Sequence, residues 1–150
     1  MTLSNVDLED IAKHMKLPII GVFSKDQLPK RHQAGSYYIN MQDHDKGCGT
    51  HWVLVRIFNK HDCIYFDSFG VDMPTSVRTF LSPFKRVPYN TRDIQDLTSN
   101  HCGLFCVSCD YYFQYKADAK LSPTDNYDNF LNAWSPDTKA NDKILKHYFD

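Results

Sequence analysis

At 150 residues the chain is long enough for one domain and too short for two ordinary ones. Its 42% hydrophobic, 23% charged and 14% aromatic residues make a globular rather than a disordered composition. Lys plus Arg number 17 against 18 Asp plus Glu, a net charge of -1, which argues against nucleic-acid binding driven by bulk charge.

The predicted elements follow in chain order. Ser4 or Asn5 caps a first helix whose apolar positions, Leu8, Ile11, Ala12 and Met15, recur at helical spacing, and Pro18 ends it. Ile19 to Phe23 reads as a short strand and Ser24 to Gly35 as a surface loop rich in Lys, Asp, Gln and Pro. Tyr37 to Met41 is a second strand, leading into the polar loop Gln42 to Gly49. His51 to Phe58 and Cys63 to Phe66 carry the strongest β signal, and the short connection Asn59 to Asp62 makes them an antiparallel hairpin. Asp72 and Pro74 open a short helix through Val77, Phe80 and Leu81, and Phe84 to Tyr89 is expected as an edge strand. A buried helix runs from Cys102 to about Tyr115. Two amphipathic helices follow, one presenting Tyr127, Phe130, Leu131 and Trp134, the other Ile144, Leu145, Tyr148 and Phe149. The order implies a single α+β domain over residues 1–150.

No stretch approaches the roughly 18 consecutive apolar residues of a membrane span, and Met1 to Asp10 carries no apolar run, so neither membrane association nor a secretory leader is expected. Five cysteines, an odd number, fit a reduced intracellular chain better than a disulfide framework.

The hairpin has chemical consequences. If its turn centres near Asn59 or Lys60, facing residues have numbers summing to about 118–120, which sets His51 within a residue or two of Asp67. A carboxylate beside an imidazole orients it as a general base. Cys102 stands where the buried helix starts, after Thr98-Ser99-Asn100 and before Gly103. There the helix dipole and unpaired amides stabilise a thiolate and a developing oxyanion. Gln95, seven residues earlier, adds an amide donor. A nucleophile, a base, an orienting acid and an oxyanion donor make a thiol-protease site.

Each residue alone has a plainer reading: His51 as a hydrogen-bonded strand residue, Cys102 as a small core side chain, Asp67 as a turn residue before Ser68-Phe69-Gly70. A zinc reading would start from Cys106-Val107-Ser108-Cys109 and enlist His101, Cys102, His44, Cys48, His61 or Cys63. No second close pair exists, and Cys106 and Cys109 sit within an apolar helix, so they read as core and no metal is expected.

Gly49-Thr50-His51-Trp52, then Tyr65-Phe66-Asp67-Ser68-Phe69-Gly70, then Gln95, then Cys102-Gly103-Leu104-Phe105-Cys106 occur in that order. The set resembles the adenovirus-type maturation proteases (adenain) and their relatives in virophages, Polinton-type elements and other large DNA viruses. It is more distantly similar to the SUMO-deconjugating proteases. The resemblance implies a papain-like α+β fold with a central, mostly antiparallel sheet and the nucleophile at the N-terminus of a buried helix. It gives His51 the role of base, Asp67 that of orienting acid, Gln95 that of oxyanion donor and Cys102 that of nucleophile. Gly49, Trp52 and Gly103 would contact substrate, with Trp52 beside the site and Gly103 allowing close approach to the helix start. The loops Ser24–Gly35 and Gln42–Gly49 would flank the cleft.

The activity implied is cleavage of capsid or other structural precursor proteins during virion maturation, in the virion and in the host-cell cytoplasm or viral factory. An isopeptidase acting on SUMO- or ubiquitin-like modifiers shares the chemistry, and an inactive capsid-binding module is the non-enzymatic alternative. The family has Glu where this chain has Asp67; either carboxylate orients a histidine. An activating peptide or DNA is the partner the resemblance raises. No cysteine lies between Cys63 and Cys102 to bind such a peptide by a disulfide, and the near-neutral charge offers DNA little, so no cofactor is expected.

Overall fold

The computed structural model describes residues 3–42 and 51–148. Ser4 starts the first helix, α1 (Asn5–His14), with a capping box. Its hydroxyl accepts from the Asp7 amide at 3.1 Å, and the Asp7 carboxylate accepts from the Ser4 amide at 2.9 Å. The helix ends short of Pro18, where Lys16 at φ 56 turns the chain.

Four strands follow, β1 (Ile19–Ser24), β2 (Gly35–Asn40), β3 (Trp52–Ile57) and β4 (Cys63–Phe66), paired in sequence order. β1 and β2 are parallel; the other two pairings are antiparallel. A parallel pair needs a connection that runs back the length of the sheet, and the segment after Ser24 supplies it. The return ends at Gly35, whose φ of +143 and whose closeness to the Pro18 carbonyl (2.6 Å from where a Cβ would stand) leave no room for a side chain.

Every residue of β2, β3 and β4 is buried, because both faces of the sheet are covered. One face, with Tyr38, Leu54 and Phe66, packs against α1, α3 (Cys102–Tyr111), α4 (Pro123–Asn132) and α5 (Thr138–His147) through Leu8, Phe105, Phe130 and Leu145. The other, with Tyr37, Val53 and Val55, packs against Val77 and Phe80 of α2 (Thr75–Phe80). This two-sided burial explains why the strands read as continuous apolar runs without alternation.

A buried ion pair locks α3 onto the sheet. Asp110, with no exposed surface, accepts from Arg56 Nη1 of β3 at 2.6 Å and from Ser36 Oγ and Tyr38 OH of β2 at 2.6 and 2.7 Å. Arg56 also donates to Gln114 at 3.0 Å.

Three expectations are corrected. Phe84 to Tyr89 forms no strand; it makes an isolated parallel bridge between Tyr89 and Tyr65, closed by Tyr65 N donating to Pro88 O at 2.9 Å. Pro83 and Pro88 lack the N–H groups that a longer ladder needs. The helix from Cys102 is α-helical only to Tyr111 and then widens into a π-helical turn, Tyr112–Lys116. The loop Ser24–Gly35 does not flank the cleft along its length but crosses to the α2 face. There His32 stacks on Phe80 with ring centroids 4.6 Å apart and donates to its carbonyl. Most of the loop Gln42–Gly49, with Gly49 itself, lies outside the described residues. Among the described residues no helix is long and apolar enough to cross a membrane.

Candidate active site

His51 immediately precedes β3 and Asp67 immediately follows β4, so the hairpin sets both at one end of the sheet. Leu54 faces Phe66 and Ile57 faces Cys63, where the ladder ends; beyond it the chain turns, with Gly70 N donating to Asp67 O at 2.8 Å. His51 Nε2 donates to Asp67 Oδ1 at 2.8 Å. The Phe69 ring stacks on the imidazole, centroids 4.7 Å apart and planes 27° apart, while its amide donates to the same Asp67 Oδ1 at 2.8 Å. Asn90 grips the Asp67 backbone from both sides, accepting from its N–H at 3.1 Å and donating to its carbonyl at 2.6 Å. Asp67 is 1% exposed and cannot swing away.

The third group is Cys102, the first residue of α3 and itself buried. The Asp67 bond occupies His51 Nε2, and Nδ1 is buried without a nitrogen or oxygen partner, so Nδ1 is the nitrogen left for the thiol. Burial alone lowers the proton affinity of the imidazole. Hydrogen bonds to Asp67 and to Cys102, with their negative charge, outweigh it and raise the pKa to about 9. Because the folded value lies above the ordinary 6.5, the protonated pair stabilises the fold fully below about pH 6.5 and less as pH rises through about 9. Denaturant titrations across that window are expected to show stability falling, and a His51→Ala variant is expected to lack that fall. Among the other described thiols, burial pushes Cys63 up to about 12 and raises Cys106 and Cys109 well above the ordinary thiol range. Cys106 and Cys109 are fully buried core residues, and no group of three metal-ligating side chains occurs among the described residues.

Gln95 is buried in the loop that leads to α3. Its Oε1 accepts from Ser68 Oγ at 2.5 Å, and its Nε2 donates to Ser99 O at 3.0 Å and Oγ at 3.3 Å. At the helix start the N-cap residue His101 makes no side-chain cap bond. Trp52 and Gly103, expected to meet substrate, are both covered by the N-terminal segment. Trp52 is 2% exposed and donates to Leu3 O at 2.9 Å. A Cβ on Gly103 would stand 3.2 Å from side-chain carbons of both Leu3 and Leu8, so its bare backbone serves the packing of α1 on α3. Gly103→Val is expected to destabilise by about 1–3 kcal/mol through overpacking, read as a lower denaturation midpoint.

No protein-family model matches the chain, and no curated protein matches it. Among solved structures it is similar to the crystal structure of the ASFV pS273R protease, at 15% identity and a TM-score of 0.57 over 98% of this chain and 66% of that one. The chain thus spans just under two thirds of that protease. The selenomethionine form of the same protease aligns at 18% identity over 75% of this chain and 42% of that one, with a TM-score of 0.44, too low to carry weight. The fold is therefore the papain-like α+β fold, with a mixed four-stranded sheet and Cys102 at the start of a buried helix.

Sequence reasoning passed over Phe69, Asn90, Ser99 and Asp142. Phe69 alone had a usable signal, since the hairpin arithmetic that points to Asp67 also covers the residue two beyond it. Losing its ring removes a stack worth about 0.5–1.5 kcal/mol. Phe69→Leu is expected to move the basic limb of a pH–rate profile to lower pH, and Phe69→Tyr to restore it.

Proposed function

We propose that the chain is an adenain-like cysteine endopeptidase that cleaves capsid or other structural precursor proteins during virion maturation, in the virion and in the host-cell cytoplasm or viral factory. The observation that carries the chemistry is the His51–Asp67 hydrogen bond at 2.8 Å, made by the imidazole whose proton affinity Cys102 also raises. His51 takes the Cys102 proton or holds an ion pair with the thiolate, kept in orientation by Asp67 and Phe69. The thiolate attacks a peptide carbonyl, and Gln95 with the Cys102 backbone N–H stabilises the tetrahedral oxyanion. His51 then protonates the leaving amine, and water hydrolyses the thioester with His51 again as base.

The test is treatment of the purified protein with a thiol-directed electrophile at about pH 6, where an ordinary thiol is almost wholly protonated, followed by mapping of the modified cysteine by mass spectrometry. Modification concentrated on Cys102 is expected, because burial holds Cys63, Cys106 and Cys109 in the unreactive protonated form. Equal, slow modification of every cysteine would instead favour the binding-module reading. Incubation with viral structural precursors and with SUMO- and ubiquitin-like conjugates separates the substrate classes. Cleavage confined to the conjugates would move the assignment to an isopeptidase.

A further inference from the structure

The 94–101 segment, which carries Gln95 and delivers Cys102, is held from outside by the last helix. Three side chains of α5 on one face, at helical spacing, reach it. Thr138 Oγ1 donates to Asp96 Oδ1 at 3.3 Å, and Asn141 Nδ2 donates to the Ile94 carbonyl at 2.9 Å. Asp142 Oδ1 accepts from Ser99 Oγ at 3.0 Å and from His101 Nδ1 at 3.4 Å. Ser99 is the residue that holds Gln95 Nε2, and its Oγ also accepts from the His101 amide at 3.2 Å. A continuous chain of hydrogen bonds therefore runs from the α5 carboxylate through Ser99 to the Gln95 amide, and another ends on the residue before Cys102.

We propose that Asp142 is a positioning residue for the oxyanion donor: it fixes the Ser99 hydroxyl, and through Ser99 it aims the Gln95 amide at the carbonyl that Cys102 attacks. The physical reason is that a serine hydroxyl rotates freely unless its proton is claimed. With the Ser99 proton claimed by Asp142, its lone pairs face Gln95 Nε2 and the His101 amide. Both acceptors offered to Gln95 Nε2 belong to Ser99, so a shared hydrogen leaves the second amide hydrogen for the oxyanion. The inference rests on the protease reading and assigns a role to a helix that supplies none of the reacting groups.

Two reagents separate positioning of the donor from preparation of the thiol. With p-nitrophenyl acetate, Cys102 Sγ forms a bond to the ester carbonyl carbon, the C–O bond breaks, and p-nitrophenolate departs with its electron pair. The thiol proton goes to His51, and the step passes through an oxyanion. With iodoacetamide, Sγ displaces iodide at a saturated carbon and no oxyanion forms. In the 150-residue chain, Asp142→Ala is expected to slow acylation by about tenfold or more while alkylation of Cys102 changes by less than about twofold. Asp142→Asn, which keeps an acceptor for Ser99, should recover most of the acylation rate. Gln95→Ala combined with Asp142→Ala should be no slower than Gln95→Ala alone, because the two act as one unit. Ser99→Ala provides the same reading if Asp142→Ala fails to fold.

Equal loss of both rates in Asp142→Ala would make α5 a structural prop and overturn the proposal. So would unchanged acylation, or losses that multiply in the double variant. A wild-type Cys102 inert to both reagents would refute the protease reading itself, and this proposal with it.

Discussion

Alanine in place of His51 is expected to slow alkylation of Cys102 at about pH 6 by roughly 10²–10⁴-fold, the usual worth of a positioned base. In the proposed mechanism the imidazole takes the thiol proton, and nothing else described at the start of α3 substitutes for it: the N-cap residue His101 is paired with Asp142. Cys102→Ala removes the reaction outright. Asp67→Ala is expected to cost less than either, because Phe69 still stacks on the ring and the hairpin still delivers His51. Peptide mapping after timed exposure to iodoacetamide measures all three. Full-rate alkylation in His51→Ala would remove His51 from the role of base.

The second large effect belongs to the fold. Asp110→Ala is expected to destabilise the protein by about 3–5 kcal/mol, because it leaves the Arg56 guanidinium charged and unpaired between β3 and α3. Ser36 and Tyr38 also lose their shared acceptor. For a chain of this size a change of 1 kcal/mol moves Tm by about 2–4 °C, so a fall of roughly 10 °C is expected. Tyr38→Phe and Ser36→Ala remove one donor each and should cost about 0.5–3 kcal/mol. The measurement is thermal or denaturant unfolding with near-ultraviolet circular dichroism. A shift in Asp110→Ala no larger than in Tyr38→Phe would show that Arg56 finds water or Gln114 as a sufficient partner. This ion pair also joins the elements that carry the site, since Asp110 and Cys102 share α3 and Arg56 lies in β3, which His51 immediately precedes.

Much of this molecule is legible in the linear chain, and the parts that are share a physical cause. The Ser4 cap, the helix starting at Cys102 and the β3–β4 hairpin depend on contacts a few residues apart, where spacing and turn chemistry decide. The approach of His51 to Asp67 belongs with them, since the hairpin connecting them is short and its register follows from its turn. The fold class and the order of His51, Asp67, Gln95 and Cys102 are likewise legible in the linear chain.

Other features depended on packing between distant segments. A strand over 84–89 is a reasonable reading of local apolarity, but a ladder needs N–H donors on both partners, and Pro83 and Pro88 have none. Gly103 reads as an opening for substrate, but the N-terminal segment sets Leu3 and, from α1, Leu8 against it. The clamps of Asn90 on Asp67 and of Asp142 on Ser99 join residues 23 and 43 positions apart. Such pairings leave no periodic trace in the chain. A single polar side chain acquires its partner only when the burial of apolar faces, here of α5 through Leu145 and of the sheet through Tyr65 and Phe66, brings it within hydrogen-bonding reach.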